Sequence, residues 1–163
     1  MWKKSIVIGM VFLMCFSLFC GCNKNNDNKG DFYVISEVYE SNEITRQDLL
    51  SIVYYIYGRV IDDNKDEYPE DFVPTPKDPK KLDDNIKHVI ENTYKYKLKK
   101  ENEKLYSDAK IEAKYYGTYN DYICVGIKTE IPGVDYGDEV FQETIDGVSY
   151  WQTPNFKVLF YKI

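Results

Sequence analysis

Hydrophobic positions change their spacing along this chain, and each spacing predicts a different element. A nearly continuous apolar run, Ile6–Cys20, is broken only by Gly9 and Ser17. The central region then repeats apolar residues every three or four positions, as an amphipathic helix does. The last third alternates apolar and polar residues, as a half-buried strand does. Helices followed by strands predict an α+β fold, in which two main helices pack on one face of an antiparallel sheet of about four to five strands.

The two predicted helices have recognisable ends. The first begins after Thr45, because Thr45 and Asp48 form a capping-box pattern, and it ends at Gly58, which accepts a left-handed conformation. The second begins between Asp78 and Asp83, and its lysines gather toward its end, where they complement the helix dipole. Each helix has one apolar face, formed in the first by Leu49, Ile52, Val53 and Ile56, and in the second by Leu82, Ile86, Val89, Ile90, Thr93 and Tyr94.

Turn residues divide the last third of the chain into strands. A strand is predicted over 109–115, with a turn at 117–120, and a central strand over 122–127 because that stretch is apolar on both faces. The pair Asp146-Gly147 is a strong signal for a two-residue hairpin turn. A final strand is predicted to start at Phe156 and to close the sheet.

The N-terminal apolar run is typical of a bacterial export signal. Lys3 and Lys4 precede it, and it is shorter than the roughly 20 residues that cross a bilayer. Its end, Phe19-Cys20-Gly21-Cys22, resembles a lipobox, although that family prefers an aliphatic residue at the position of Phe19. The sequence thus predicts a signal peptide over 1–21, a polar tether over 22–30 and a single α+β domain over 31–163. Cleavage by ordinary signal peptidase, or retention as one membrane anchor, are the alternatives.

Lipidation of Cys22 predicts where the protein is located. A diacylglycerol on Cys22 supplies two acyl chains, which anchor a protein stably, whereas one chain does not. The expected location is the outer face of the cell membrane, with the membrane as partner through that lipid. Loss of Lys3 and Lys4 with the signal takes the formal charge from −6 to −8. This acidic balance excludes nucleic acid as a partner, because phosphates require a basic surface. It also argues against electrostatic adhesion to anionic lipid, so the acyl anchor is expected to hold the protein at the membrane alone.

Nearly the whole mature chain resembles a group of small uncharacterised lipoproteins of Gram-positive bacteria. The most distinctive match is Tyr-Tyr-Gly-Thr-Tyr-Asn at 115–120. The resemblance implies no activity and no site residues, since none is known for the group. The other matching stretches are 32–33 with 37–39, 44–52 with 54–55, 73–79 and 143–147.

Sequence motifs give no support for a cofactor, a metal or a catalytic centre. Asp62, Asn64 and Asp66 match the first half of an EF-hand calcium loop, but Glu67 replaces its glycine and Val73 its closing glutamate. The only histidine, His88, lies in the second helix and is interpreted as a solvated or boundary residue. Cys124, the only cysteine beyond Cys22, lies in an apolar run and is predicted to be buried.

Tyrosine is the unusual component of the composition, with 16 residues that all follow the signal. Tyrosine combines an apolar ring with a polar hydroxyl, so it suits both packing and binding. Four aromatic residues near predicted turns and strands are candidates for an exposed platform that stacks on sugar rings or anchors a protein: Tyr116, Tyr119, Tyr150 and Trp151. The alternative is that they pack in the core.

These patterns favour a non-catalytic binding or interaction module whose ligand the sequence does not identify. An envelope protein and a cell-wall glycan are the candidate partners. One alternative is a small cell-envelope hydrolase, which would require two convergent carboxylates. Another is an inhibitor or immunity protein that caps an envelope enzyme, which would require one contiguous apolar patch.

Overall fold

Antiparallel strands and three helices make up the described part of this chain, which confirms the α+β class. The computed structural model describes residues 29–63, 75–77, 81–101 and 106–163. Its elements are β1 (Phe32–Val34), α1 (Ile35–Glu40), α2 (Arg46–Tyr57), β2 (Ile61–Asp62), α3 (Asp84–Glu101), β3 (Lys110–Tyr119), β4 (Tyr122–Glu130), β5 (Phe141–Ile145), β6 (Val148–Gln152) and β7 (Phe156–Lys162).

The strands form two sheets where the sequence predicts one. The large sheet has the order β1-β7-β4-β3, and the small sheet has the order β2-β6-β5. Every strand pair is antiparallel. Each sheet has one short edge strand that the sequence does not predict. Strand β1 has three residues and strand β2 has two. These short strands pair with β7 and β6, far along the chain, so local pattern gives no signal for them.

The two long helices lie on opposite faces of the large sheet, which corrects the prediction that both pack on one face. Side chains alternate along β4, so Cys124 packs with α2 while Ile123 and Val125 pack with α3. A central strand that is apolar on both faces needs cover on both. The layers are therefore α3, the large sheet, and then α1 and α2 together with the small sheet.

Helix α2 begins and ends as its sequence predicts. The Thr45 hydroxyl accepts a hydrogen bond from the Asp48 amide at 3.1 Å, and the Asp48 carboxylate accepts one from the Thr45 amide at 2.8 Å. This reciprocal pair satisfies two amides that have no partner within the helix. Gly58 ends the helix with φ at 69°, a left-handed value that glycine adopts without steric cost.

Turns join the long strands, and one of them differs from the prediction. The chain does not turn at 117–120, because β3 continues to Tyr119 through a bulge that Gly117 absorbs with φ at 128°. It reverses at Asn120 and Asp121 instead, and Asn120 has φ at 52°. The turn at Asp146-Gly147 is confirmed, with φ of 47° and 75°.

Helix α3 contacts the large sheet along a narrower stripe than predicted. Ile90, Tyr94 and Leu98 are its buried residues, and Leu82 is buried just before it. Ile86 and Val89, predicted to share this face, are 40% and 50% exposed. They lie to the side of the stripe that meets the sheet, and no second layer covers them among the described residues. None of the helices in the described ranges is long and apolar enough to cross a bilayer.

Candidate functional site

Aromatic and polar side chains converge where the C-terminal end of α2 meets the small sheet. Helix α2, strand β3 and the β5–β6 hairpin each contribute to this group. We call it the tyrosine cluster, and its members are Tyr55, Tyr57, Tyr116, Glu143, Tyr150 and Gln152.

Ring contacts hold the aromatic half of the tyrosine cluster. Tyr57 stacks on Tyr150 with ring centroids 5.9 Å apart and planes at 23°. Tyr55 meets Tyr116 edge-on at 5.8 Å and 82°. Both are arrangements that the ring quadrupoles favour. Gly126 leaves room for the Tyr116 ring, since a Cβ at this position would stand 2.5 Å from Cε2 of Tyr116. The Tyr116 ring therefore lies directly on the backbone of β4.

The polar half of the tyrosine cluster centres on Glu143. Gln152 donates a hydrogen bond from Nε2 to Oε2 of Glu143 at 2.8 Å, and Glu143 is paired with Tyr150 across the hairpin. Burial, and then the neighbouring Glu143 carboxylate, raise the pKa of Tyr150 well above its usual value. Burial also raises the pKa of Tyr57, and the adjacent Tyr116 adds to the shift. These phenols are therefore neutral hydroxyls at physiological pH.

One of these hydroxyls is buried without the usual compensation. The oxygen of Tyr57 is buried and has no hydrogen-bond partner among the described residues. A buried polar group without a partner costs free energy, roughly 1–3 kcal/mol. The Tyr150 hydroxyl lies beside the Glu143 carboxylate and the Gln152 amide. Glu143 and Gln152 are half-buried, so their carboxylate and amide are the polar groups of the cluster that a ligand can reach.

Glu143 lies among groups that exchange hydrogen bonds. Those recorded beside its carboxylate are the Gln152 amide and the phenols of Tyr150 and Tyr57. Accessible apolar surface lies next to it, because Phe141 is exposed and is paired with Gln152 across the hairpin.

The four predicted platform residues do not form one exposed surface. Tyr116, Tyr119 and Tyr150 are buried in the core on the α2 side of the large sheet, which corrects that expectation. The physical reason is the small sheet and α2, which cover the face that a single-sheet fold would leave open. Trp151 is partly exposed on the other face of the small sheet, with the Arg59 guanidinium 4.7 Å from its ring centroid.

Tyr119 instead fixes part of the proline-bearing loop. Lys77 lies 5.7 Å from the centroid of the Tyr119 ring and forms an ion pair with Asp48 at 2.8 Å. Burial alone would raise the pKa of Asp48, but hydrogen bonds from Lys77 and Thr45 outweigh it and lower that pKa. The Lys77 backbone also covers Gly117, where a Cβ would stand 2.4 Å from the Lys77 carbonyl oxygen.

The residues considered for metal binding or nucleophilic chemistry do not lie together among the described residues. Asp62 forms an ion pair with Arg46 at 2.6 Å, while residues 64–74 of the acidic loop lie outside the described residues. No group of three or more His, Cys, Asp or Glu side chains in the described ranges could hold a metal ion. His88 is exposed and lies 2.9 Å from the Asn92 amide. Cys124 is fully buried, and burial raises its pKa. Cys22 lies outside the described residues.

Four residues of the cluster were not predicted from the sequence, namely Tyr55, Tyr57, Glu143 and Gln152. One signal was present: Glu143 occupies an alternating position between Phe141 and Ile145, where an inward apolar residue is expected. A carboxylate at such a position is costly unless it has a partner, and here Gln152 provides one. Tyr57 carries no comparable signal, since it lies at the end of an ordinary helix.

Comparison of the chain with protein-family models, with curated proteins and with solved structures finds no match in any of the three.

Proposed function

We propose that this chain is a lipid-anchored extracytoplasmic lipoprotein whose domain is a non-catalytic binding module. The location is supported by the export signal, the lipobox-like end at Cys22 and the polar tether that follows. The binding role is supported by one structural observation, the tyrosine cluster. There a half-buried carboxylate and its amide partner lie among neutral phenols beside exposed Phe141.

A hydroxyl-rich ligand such as a cell-wall glycan fits this chemistry best. Sugar hydroxyls donate to carboxylates and exchange hydrogen bonds with phenols and amides. Sugar ring faces stack on aromatic side chains, and Tyr55 and Phe141 leave such surface accessible. An envelope protein remains the second class of partner under this proposal.

A thermal-shift screen with matched variants tests the binding role. The panel contains wall fragments, common sugars and calcium, and a ligand that binds only the folded state raises Tm by mass action, about 2.7 kcal/mol at 100 times Kd. The Tm is expected to rise with wall fragments in the native chain and in Glu112→Gln, a surface control on β3. Glu143→Gln, which removes the charge and keeps the shape, is expected to lose the rise.

Two results would count against this role. A shift that Glu143→Gln retains in full would place the ligand elsewhere. Cleavage of the wall fragments, lost in Glu143→Gln, would make the protein an enzyme.

A further inference from the structure

The outer face of α3 combines lysines with exposed apolar side chains. Ile90, Tyr94 and Leu98 face the large sheet. At about 3.6 residues per turn, the opposite face carries exposed residues of which none is acidic. They include His88, Val89, Asn92, Tyr96, Lys99 and Lys100.

The carboxylates of α3 lie away from this face. Glu91 accepts a hydrogen bond from the Ala113 amide at 3.0 Å, so its side chain is directed toward β3. Asp84 lies two turns earlier on the same side of the helix as Glu91. Glu101 is close enough to Tyr94 on the sheet side to help raise the Tyr94 pKa, after burial, to about 12. The outer face of α3 therefore has lysines without carboxylates, although the chain has 27 acidic and 21 basic residues.

An apolar groove adjoins the N-terminal half of α3. Its volume is about 350 Å³, and it lies between α3 and the ends of β4 and β7. Its apolar walls come from Ile86, Val89, Ile123, Tyr161 and Ile163. Together with Tyr96, which is 70% exposed, it forms a surface that the described residues leave uncovered.

The groove also marks the place where the chain leaves the domain toward Cys22. Lys29 and Gly30 line it, and the Gly30 amide donates to the Lys162 carbonyl at 2.9 Å. Cys22 precedes Lys29 by seven residues, which reach at most about 25 Å when fully extended. A lipid on Cys22 therefore keeps the groove close to the membrane surface.

We propose that the groove and the outer face of α3 dock on anionic lipid headgroups of the membrane that holds the anchor. This inference rests on the lipid anchoring in the proposed function. Juxtamembrane lysines are attracted to anionic headgroups, and Ile86, Val89 and Tyr96 supply apolar and amphipathic contacts for the interface. The whole chain is acidic, but attraction within a Debye length of about 8 Å depends on the charges that face the membrane.

Docking of this kind would orient the domain. The tyrosine cluster belongs to the core on the opposite face of the large sheet from α3. With α3 on the membrane, the cluster would face away from it, toward the cell wall.

Fluorescence of the intact lipidated protein in vesicles tests this orientation. An environment-sensitive dye is placed on Tyr96→Cys, with Thr144→Cys on the small sheet as control, since native Cys124 is buried. In vesicles that contain phosphatidylglycerol, the dye at position 96 is expected to shift to the blue, but not in pure phosphatidylcholine. The dye at position 144 is expected to remain unchanged in both.

Charge reversal provides the matched variants. Removal of one membrane-facing lysine should weaken docking roughly fivefold, so Lys99→Glu with Lys100→Glu should abolish the shift. Lys110→Glu with Lys114→Glu, the same charge change on the other face of the large sheet, should preserve it.

The possible results separate docking from anchoring. A lipidated protein whose dye at position 96 behaves alike in both vesicles overturns the docking and leaves the anchor intact. If the native protein proves to carry no lipid and still binds phosphatidylglycerol vesicles, the docking is supported and the anchor is overturned. If the native protein carries no lipid and binds neither vesicle, both are overturned.

Discussion

Helix α2 is shorter than helix α3 but buries more of its residues. Helix α2 has 12 residues and buries six of them, whereas α3 has 18 and buries three. The cause is the number of layers, since α2 lies between the large and small sheets and α3 covers the large sheet alone. Burial in this fold therefore follows the position of a helix among the layers and not its length.

The two faces of the large sheet also differ in chemistry. Five tyrosines whose pKa is raised by burial lie on the α2 side, namely Tyr57, Tyr116, Tyr119, Tyr122 and Tyr150. On the α3 side only Tyr94 has a comparable shift among the described residues. Both faces are packed mainly by aliphatic side chains, and the α2 face has more buried phenol rings among them.

The largest expected effect is alkaline unfolding driven by the α2 face. These buried phenols resist ionisation, so the folded state holds protons that the unfolded state releases above about pH 10. Their contribution to stability is complete below that pH and is lost as the pH rises toward the folded pKa values, by up to about 1.4 kcal/mol per pH unit for each tyrosine. Urea unfolding across this range measures the loss. A free energy of unfolding that stays constant above pH 10 would contradict the assignment.

A leucine in each helix compares the two environments directly. Leu49 of α2 is fully buried and Leu98 of α3 is 9% exposed. Truncation of a buried leucine to alanine costs about 2–5 kcal/mol, and the cost grows with the cavity left behind. Leu49→Ala is expected near the upper end and Leu98→Ala near the lower end in urea unfolding. Equal costs would show that the second covering layer adds no stability.

Gly126 tests the close packing in the tyrosine cluster. Gly126→Ala would bring a Cβ within 2.7 Å of Cζ of Phe156 as well as against the Tyr116 ring. Overpacking of this kind costs about 1–3 kcal/mol. Phe156→Leu in the same chain should recover part of the loss, because it shortens one obstructing side chain. Purely additive effects in this double-mutant cycle would contradict a direct contact.

The smallest expected effect compares the N-termini of the two helices. Asp48→Asn should cost about 1 kcal/mol, because it weakens the capping box and the pair with Lys77. The low pKa of Asp48 means that this stability is present above its unfolded pKa and is lost as the pH falls below about 4. The gap between native and Asp48→Asn should therefore close in acid. Asp83 precedes α3 and accepts a hydrogen bond from the Asn85 amide at 2.9 Å. Asp83→Asn is the control, since asparagine caps as well as aspartate.

Local signals predict α2 well and the layer arrangement poorly. Thr45, Asp48 and Gly58 act on their immediate neighbours, so their spacing identifies both ends of the helix. The face covered by each helix depends on contacts between residues far apart in sequence. The exposure of Val89 is an example, because helical spacing places it near Ile90 but the width of the sheet contact decides its burial.

In the candidate site too, local sequence predicts some features, and contacts between distant residues decide the others. The abundance of tyrosine in the sequence predicts rings that pack or bind, and Tyr116 and Tyr150 do belong to the cluster. The sequence leaves packing and binding both open for these rings, because the small sheet that covers them depends on the pairing of β2 with β6. Glu143 was within reach of sequence reasoning, as a carboxylate at an inward strand position.

Intact mass spectrometry of the protein extracted from bacterial membranes tests the lipid anchor. The mature chain is expected to begin at Cys22 and to carry a diacylglycerol. Cys20→Ser should be processed in the same way, whereas Cys22→Ser should keep residues 1–21 and carry no lipid. An unlipidated native chain, or processing that Cys22→Ser does not disturb, would contradict anchoring through Cys22.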